Sequence, residues 1–372
     1  MNENDKFLMI NDSVYSPKNP LIIAELGTSH NGDIVKAKKM ADAAQESGAN
    51  CIKVQMVYAD EILHPNTGVV PLPGGLIRLY DQFKNLELEA EFYIEIKEYT
   101  ESKGLLFLCT PFGLKSAAIL KSIQPKIVKI ASPELNFTSL LNEIAGWTLP
   151  VLLSSGVSRL SDIETAIEIF REKLIKICLL HCVTSYPAPE TDYNLRLLPN
   201  LAGIFGVSVG ISDHSLDPEL VPSLAVSMGA SVVEKHFCLS RNDPGLDDPI
   251  ALEPNDFLKM TQAINRAVQA GFSETVNYYS REKGAAFVEQ ILGNGIKELA
   301  PSEKANYNLT NRSIHALKDI QKGEIINKSD YAILRTEKIL RPGLEPFWEE
   351  KIEGRTARNF IPAGEGIRFE DV

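Results

Sequence analysis

Lys53 and Gln55 stand two residues apart in the run Ile52-Lys-Val-Gln55, and Glu234 and His236 stand two apart in Glu234-Lys-His236. In an extended segment that spacing puts both side chains on one face. A second lysine opens Lys129-Ile-Ala-Ser-Pro-Glu134, and a second histidine closes Ser212-Asp-His214. Carboxylates and hydroxyls recur beside them at Glu25, Thr110, Ser132, Ser154, Thr184 and Ser212. Ammonium groups supply charge and hydroxyls supply directional donors, so two lysines among several hydroxyls make a cradle for a phosphate with a carboxylate next to it. Two imidazoles from neighbouring segments can hold a divalent cation and leave positions open for water and a substrate oxygen; such an ion acts as a Lewis acid on a carbonyl. Each residue also has a plainer reading. A strand lysine can reach solvent along its stem, the serines can cap helices or fill a core, and a lone strand-end histidine more often satisfies a hydrogen bond. Lys235 points away from Glu234 and His236 and reads as structural. Burying Lys53, Lys129, Glu25 and Glu234 together without a function would, however, cost several kcal/mol of desolvation per ion.

The elements that must position these residues alternate regularly. Apolar, β-branched runs predict strands over Leu21–Leu26, Cys51–Val57, Leu105–Thr110, Ile127–Ser132, Val151–Ser155, Ile175–Cys182, Val207–Asp213 and Val232–Cys238. Period-3.6 stretches between them predict helices over Ile34–Ser47, Ala90–Ser102, Leu114–Ile123, Thr138–Trp147, Leu160–Glu172, Leu195–Phe205, Glu219–Met228 and Asn255–Ala270, with Gly48, Gly104, Gly229 and Gly271 at the expected C-caps. Eight strand-helix units over about 250 residues predict an α/β fold, a closed (β/α)8 barrel, in which chemistry belongs at the carboxyl ends of the strands. An open doubly wound sheet would have fewer strands, and no G-x-G-x-x-G follows the first one. Phe7–Asn11 and Ser13–Ser16 predict a hairpin closing the barrel floor. A helix around Ser280–Gln290 and a Gly/Asn/Pro-rich linker lead to short strands and turns, with strands expected at Ser313–Leu317, Tyr331–Arg335 and Arg358–Ile361. The reading is a barrel domain over 1–275, helix and linker over 276–308, and a β-rich module over 309–372 that is too small to be stable alone and so packs on something.

The chain has 372 residues, 44% hydrophobic and 23% charged, with a formal net charge of -11. That balance argues against binding nucleic acid or an anionic membrane surface, while leaving room for a local basic pocket. No apolar run approaches a membrane span, and the polar stretch Met1–Lys6 is not followed by a signal-peptide core. Five cysteines lie in or beside strands without a C-x-x-C pair and read as buried thiols in a reducing cytoplasm.

Taken in order, Ala24-Glu-Leu-Gly-Thr-Ser-His-Asn-Gly32, Ile52-Lys-Val-Gln55, Thr110-Pro-Phe112, Lys129-Ile-Ala-Ser-Pro-Glu134, Ser155-Gly156, His181-Cys-Val-Thr-Ser-Tyr-Pro187, Gly210-Ile-Ser-Asp-His214 and Glu234-Lys-His-Phe237 resemble the barrel motifs of the sialic acid synthase family. The stretch Asn311–Glu324 is similar to the start of that family's antifreeze-like (SAF) domain. The resemblance spans nearly the whole chain. It implies a transferase that condenses phosphoenolpyruvate with an open-chain N-acetylated hexosamine, such as N-acetylmannosamine or a diacetamido relative, and releases phosphate by C–O cleavage. It implies a catalytic set of Glu25, Lys53, Lys129, Glu134 and Glu234. Lys53, Thr110, Lys129, Ser132, Ser154, Thr184 and Ser212 would hold phosphoenolpyruvate; His214 and His236 would bind Mn2+ or Mg2+. Glu134 would position or deprotonate the attacking water. Gln55, Tyr186, Asp247 and Glu25 would touch the sugar. Arg312 would reach the sugar's N-acetyl group in a partner's active site, which implies an exchanged homodimer.

Some positions depart from the family pattern: Thr28-Ser29 before His30, Pro133, and Ser155. The long second loop, Tyr58 to Asn85, is expected to select the sugar. Its Gly74-Gly75 followed by Leu-Tyr resembles the pseudaminic branch, whereas Pro244-Gly-Leu-Asp247 resembles the sialic and legionaminic branches. Two alternatives stand beside this reading. Another phosphoenolpyruvate-dependent synthase of shorter deoxy-sugar acids would generally lack the C-terminal module, and an inactive sugar-binding or assembly protein would have no reason to keep the buried charges.

Overall fold

The computed structural model describes residues 7–72, 75–337 and 339–372. Its strands in chain order are β1 (Leu8–Ile10), β2 (Ser13–Tyr15), β3 (Leu21–Gly27), β4 (Cys51–Met56), β5 (Val69–Leu72), β6 (Gly75–Arg78), β7 (Leu106–Pro111), β8 (Val128–Ile130), β9 (Val151–Ser154), β10 (Ile177–Cys182), β11 (Ser208–Asp213), β12 (Val232–His236), β13 (Arg312–Ala316) and β14 (Tyr331–Arg335). Eight of these form one sheet in the order β7-β4-β3-β12-β11-β10-β9-β8, and every ladder within it is parallel. β7 and β8 lie side by side and complete a nearly closed barrel, with helices following the strands outside it. All eight predicted strands are present.

Alternation along each strand sorts its side chains, because successive residues face opposite sides of the sheet. Ile52, Val54 and Met56 join the large outer core with helix residues such as Ala41, Tyr93 and Ile96. Cys51 instead faces inward, in a separate cluster with Leu21, Ile23, Leu108, Ile127, Leu152, Cys178, Leu180 and Val232. The β1/β2 hairpin, antiparallel in register Leu8↔Tyr15, plugs the bottom of this inner core through Leu8, Ile10 and Tyr15. The floor therefore closes as expected. All five cysteines are buried and free.

Three elements differ from expectation. The helix expected to stop at Gly271 runs over Pro254–Lys283 but is broken at Gly271, whose φ of 75° no helix accommodates. A second left-handed glycine, Gly284, then splits the helix expected around Ser280–Gln290, leaving Ala285–Leu292 as a separate short helix. The loop after β4 carries its own hairpin, β5/β6, and a helix over Leu79–Asn85; Pro73 and Gly74 within it, like Met1–Lys6, lie outside the described residues.

In the C-terminal module β13 pairs antiparallel with β14, register Arg312↔Arg335 to Ala316↔Tyr331. The strand expected at Arg358–Ile361 is reduced to isolated bridges, Ile320↔Ile361 and Ile325↔Thr356. The apolar side chains Ile314, Ile320, Ile326, Ile333, Ile352, Ile361 and Ile367 form its core. The module rests on the top of the barrel. Asn136 brackets the backbone of Arg312, with Nδ2 donating to the carbonyl at 2.9 Å and Oδ1 accepting from the N–H at 3.1 Å. Asn66 donates to the Ala363 carbonyl and Ser139 to Glu349.

Candidate active site

The parity that sends Cys51 inward carries Lys53 and Gln55 inward one and two steps higher in the barrel. By the same count Leu21 and Ile23 are followed by Glu25, Leu108 by Thr110, Ile127 by Lys129, Leu152 by Ser154, and Val232 by Glu234 and His236. The upper interior is thus polar where the lower is apolar. Lys53 and Lys129 meet there on one carboxylate oxygen, Oε1 of Glu234, at 3.4 and 3.2 Å. Ser212 Oγ donates to the same atom at 3.0 Å. Lys53 also pairs with Glu25 Oε2 at 2.8 Å, and Gln55 Nε2 donates to Glu25 Oε1 at 2.7 Å. All four ions are buried, none more than 5% exposed.

Burial opposes the charges of Glu234, Lys53 and Lys129, and the pairing decides each outcome differently. For Glu234 desolvation is outweighed by Lys129, Lys53 and the Ser212 hydroxyl, which take its carboxyl down to about 2. For Lys53 burial is outweighed by Glu234 and Glu25, which hold its ammonium above the ordinary lysine range. Lys129 has only a share of Glu234 and a like charge nearby, so burial wins and its affinity for the proton falls below the ordinary value. The two lysines therefore carry more positive charge than Glu234 alone cancels at their end of the cavity.

Around them several hydroxyls lack a protein partner. The Oγ atoms of Thr110, Ser154 and Thr184 are buried and make no hydrogen bond to the protein. Leaving such a group unpaired costs about 1–3 kcal/mol, and three together mark a place built for an acceptor-rich ligand. Ser132 serves differently: its Oγ accepts from Gly156 N–H at 3.0 Å and ties the loop after β9 to the turn after β8. Gly156 has no alternative there, since a Cβ would come within 2.2 Å of Thr184 Oγ1 and 2.9 Å of Ser132 Oγ.

Nearer the mouth, His214 and His236 approach with ring centroids 5.6 Å apart, and Tyr186, exposed at the rim, stacks on His214 at 4.2 Å. His214 Nδ1 lies 2.9 Å from the Val183 carbonyl, which can only accept, so Nδ1 carries the proton and Nε2 keeps its lone pair. Burial lowers the pKa of both rings, favouring the neutral, ligating form. Asp247 Oδ2 stands 3.8 Å from His236 Nδ1. Among the described residues no group of three His, Cys, Asp or Glu side chains is arranged to hold a metal. Two neutral imidazoles on neighbouring strands are the donor type a divalent cation takes.

Lys235 turns to the other side of β12, where it is locked by Asp213 Oδ2 at 2.6 Å and by Ser215, and is structural.

The module completes the rim. Glu134, wholly buried in the 3-10 turn after β8, receives Arg312 Nε at 3.1 Å and Nη2 at 3.0 Å, and Arg335 Nη2 at 2.6 Å, all on Oε1. Its Oε2 is left without a partner. The remaining Arg312 donors go to the carbonyls of Glu61, Phe112 and Ile333. Arg312 thus meets Glu134 with its guanidinium bonded throughout to protein groups. Arg335, about one-eighth exposed, reaches the same carboxylate oxygen from the neighbouring strand. Arg335 escaped the sequence reading because only the antiparallel register opposite Arg312 brings it to Glu134. The signal was its position in a strand pairing with one that begins at Arg312.

Ion-paired lysines, unpartnered hydroxyls and paired imidazoles gather at the carboxyl ends of the strands, where barrel enzymes carry their active sites. The chain matches the NeuB family over residues 40–275 and the SAF domain over 311–372. It belongs to the NeuB family and is a transferase-type synthase. It is 33% identical over 98% of its length, and 97% of the relative's, to the spore coat polysaccharide biosynthesis protein SpsE of Bacillus subtilis. The crystal structure of that protein superposes with a TM-score of 0.81, covering 98% of this chain and 99% of the other. The N,N'-diacetyllegionaminic acid synthase of Campylobacter jejuni is 31% identical over 94% of this chain and 99% of its own. The pseudaminic acid synthase of Helicobacter pylori is 31% identical over 95% and 98%. Among the described residues no helix is long and apolar enough to cross a membrane.

Proposed function

We propose that this enzyme condenses phosphoenolpyruvate with the open-chain aldehyde of an N-acetylated hexosamine, N-acetylmannosamine-like or a 2,4-diacetamido-trideoxyhexose, giving a nine-carbon nonulosonic acid and phosphate. The observation that carries this reading is the meeting of Lys53 and Lys129 on Glu234, beside the unpartnered hydroxyls of Thr110, Ser154 and Thr184. An ester carrying both a phosphate and a carboxylate answers that pattern: the ammonium groups balance its charge, the hydroxyls of Thr110, Ser154, Thr184 and Ser132 donate to its oxygens, and Ser212, whose proton goes to Glu234, lines the same cradle.

In the reaction the enol carbon C3 of phosphoenolpyruvate bonds to the aldehyde carbon. Water adds at C2, and the C2–O bond then breaks with loss of phosphate. Glu134 holds that water through Oε2, the oxygen its two arginines leave free, and accepts a proton as it adds. Gln55, Glu25, Tyr186 and Asp247 line the outer part of the cavity and hold the sugar. A divalent ion on His214 and His236, Mn2+ or Mg2+, would supply Lewis-acid polarisation of the aldehyde. We place the enzyme in the cytoplasm, where its five free thiols would stay reduced, acting without nucleic acid or membrane. We also infer a homodimer in which the module caps the neighbouring barrel: exchange keeps the same contact and changes only which chain supplies it.

The test is phosphate release from phosphoenolpyruvate across a panel of acetamido sugars, with and without chelator, with products weighed by mass spectrometry. The expected product has the mass of the sugar plus phosphoenolpyruvate and water, less phosphoric acid. Release that ignores the sugar, or none with any sugar, would remove the reading.

A further inference from the structure

Two loops flank the unpartnered hydroxyls, one after β9 (Ser155–Ser158) and one after β10 (Val183–Ser185), and neither is held by its own barrel neighbours alone. The inter-domain linker holds both. Glu303, 1% exposed, receives Val157 N–H at 3.0 Å and Thr184 N–H at 2.9 Å on the same oxygen, Oε2, while Oε1 is fixed by Ala300 N–H at 3.1 Å. Asn311 Nδ2 donates to the Val157 carbonyl at 3.0 Å, and Asn306 Nδ2 donates to the Thr184 carbonyl at 3.0 Å. Val157 and Thr184 thus have both backbone polar groups taken by side chains of the linker (Glu303, Asn306) and of the module's first residues (Asn311).

The grip meets a strained point. Val157 is β-branched and sits at φ 41°, a conformation that such residues avoid and that persists only where its surroundings enforce it. Its neighbour Gly156 is bound through N–H to Ser132 and packs against Thr184 Oγ1 too closely to admit a Cβ. Lys297, also in the linker, donates to the Ser155 carbonyl at 3.3 Å. Releasing the linker would let Val157 relax and would shift Gly156, and with it the Ser154 and Thr184 hydroxyls on either side.

We propose that Glu303, with Asn306 and Asn311, is a positioning clamp through which the linker sets the loops that bind the phosphate end of phosphoenolpyruvate, so that affinity for this substrate depends on how the module's linker is seated. The proposal rests on the reading of the site as a phosphoenolpyruvate cradle. None of the three residues faces the cavity; they act through Val157 and Thr184. The clamp works in the same way whichever chain of a dimer supplies the linker.

The experiment uses the full-length enzyme. Glu303→Gln removes the charge and replaces one acceptor oxygen with an NH2 that, in either orientation, faces an N–H, that of Ala300 or the pair from Val157 and Thr184. It should raise KM for phosphoenolpyruvate about 10-fold, the size expected for losing a hydrogen bond to a buried charge, while KM for the sugar changes less than about 2-fold. Amide exchange at Val157 and Thr184 should accelerate. Should Glu303→Gln fail to fold, Asn306→Ala carries the same test with a smaller, roughly 3-fold rise. Equal rises in both KM values, or unchanged KM for phosphoenolpyruvate with unchanged exchange, overturn the clamp. A wild-type enzyme that releases no phosphate from phosphoenolpyruvate overturns the substrate reading instead, and amide exchange alone then judges whether Glu303 holds the two loops.

Discussion

Arg312 and Glu134, 178 residues apart in the chain, form an ion pair in which neither side chain is exposed at all. Each is an ion that could not be buried alone, so the module and the barrel top are stabilised as one unit. Removing one partner of such a pair leaves an uncompensated charge and costs about 3–5 kcal/mol. Arg335 still reaches the same oxygen in Arg312→Ala, which keeps the loss toward the lower end. Arg312→Ala is expected to undock the module, read as faster proteolysis in the linker over 293–308, with the barrel's own unfolding little changed. A linker as resistant as in the wild type would separate Arg312 from docking.

The same residue decides which chain caps which barrel. Arg312→Ala and Lys129→Ala should each be inactive, the first for want of a cap and the second for want of a phosphate ligand. Mixed under conditions of proven subunit exchange, the pair should recover a fraction of the activity if the cap is supplied in trans. No recovery would assign the contact to a single chain, as the isolated chain makes it.

Glu234 is the one carboxylate common to both lysines. Glu234→Gln would leave two ammonium groups, each buried, with Glu25 as the sole nearby anion on the Lys53 side. The expectation is a fall in kcat/KM of about 100-fold or more, matching the loss of a buried, charge-assisted contact to each lysine. The variant should also bind inorganic phosphate tighter than wild type, because the cradle is then more positive. Weaker phosphate binding with retained turnover would argue that Glu234 does not set the charge of the site.

Period and parity carried most of this architecture in the amino-acid order. Eight apolar runs were readable because each barrel strand is covered by helices outside and packed within, so both faces are apolar below the catalytic level. The polar set emerged from the same parity, since Lys53 and Glu234 are even steps from inward-facing Cys51 and Val232. Long-range register was not readable. Arg335 comes to Glu134 through pairing across a hairpin, and Glu303 comes to Thr184 through a linker without periodicity. Gly271 looked like a helix end because a left-handed glycine ends one helix whether or not another begins at once.

His236 lines the mouth beside His214, and both rings are kept neutral by burial. His236→Ala should abolish turnover while leaving the fold and the thermal midpoint nearly intact, and added chelator should do to the wild type what the substitution does. Restored activity on adding Mn2+ or Mg2+ would complete the test. Unchanged turnover in His236→Ala would remove the metal assignment.

Stability should fall in acid through histidines far from the substrate. Burial holds His30, His181 and His315 down to about 4, against 6.5 for an unfolded histidine. Between those values the unfolded chain binds protons that the folded chain refuses, so stability is full above about pH 6.5 and is lost as the pH falls toward about 4. Each group contributes on the order of 2 kcal/mol of loss by about pH 5. Glu234, held at about 2 in the folded chain, stays ionised there while the unfolded glutamate takes up a proton below about pH 5, so it adds to the loss at the acid end of this window. His315 Nδ1 donates to the Gly364 carbonyl and its Nε2 accepts from the Ser313 hydroxyl within the module, so a second ring proton is held off by the module's own packing. The thermal midpoint should therefore drop steeply from pH 6.5 to 4.5, and His315→Gln, which keeps a hydrogen-bonding side chain but cannot titrate, should flatten the drop. A profile for His315→Gln running parallel to that of the wild type would show that the acid lability lies elsewhere.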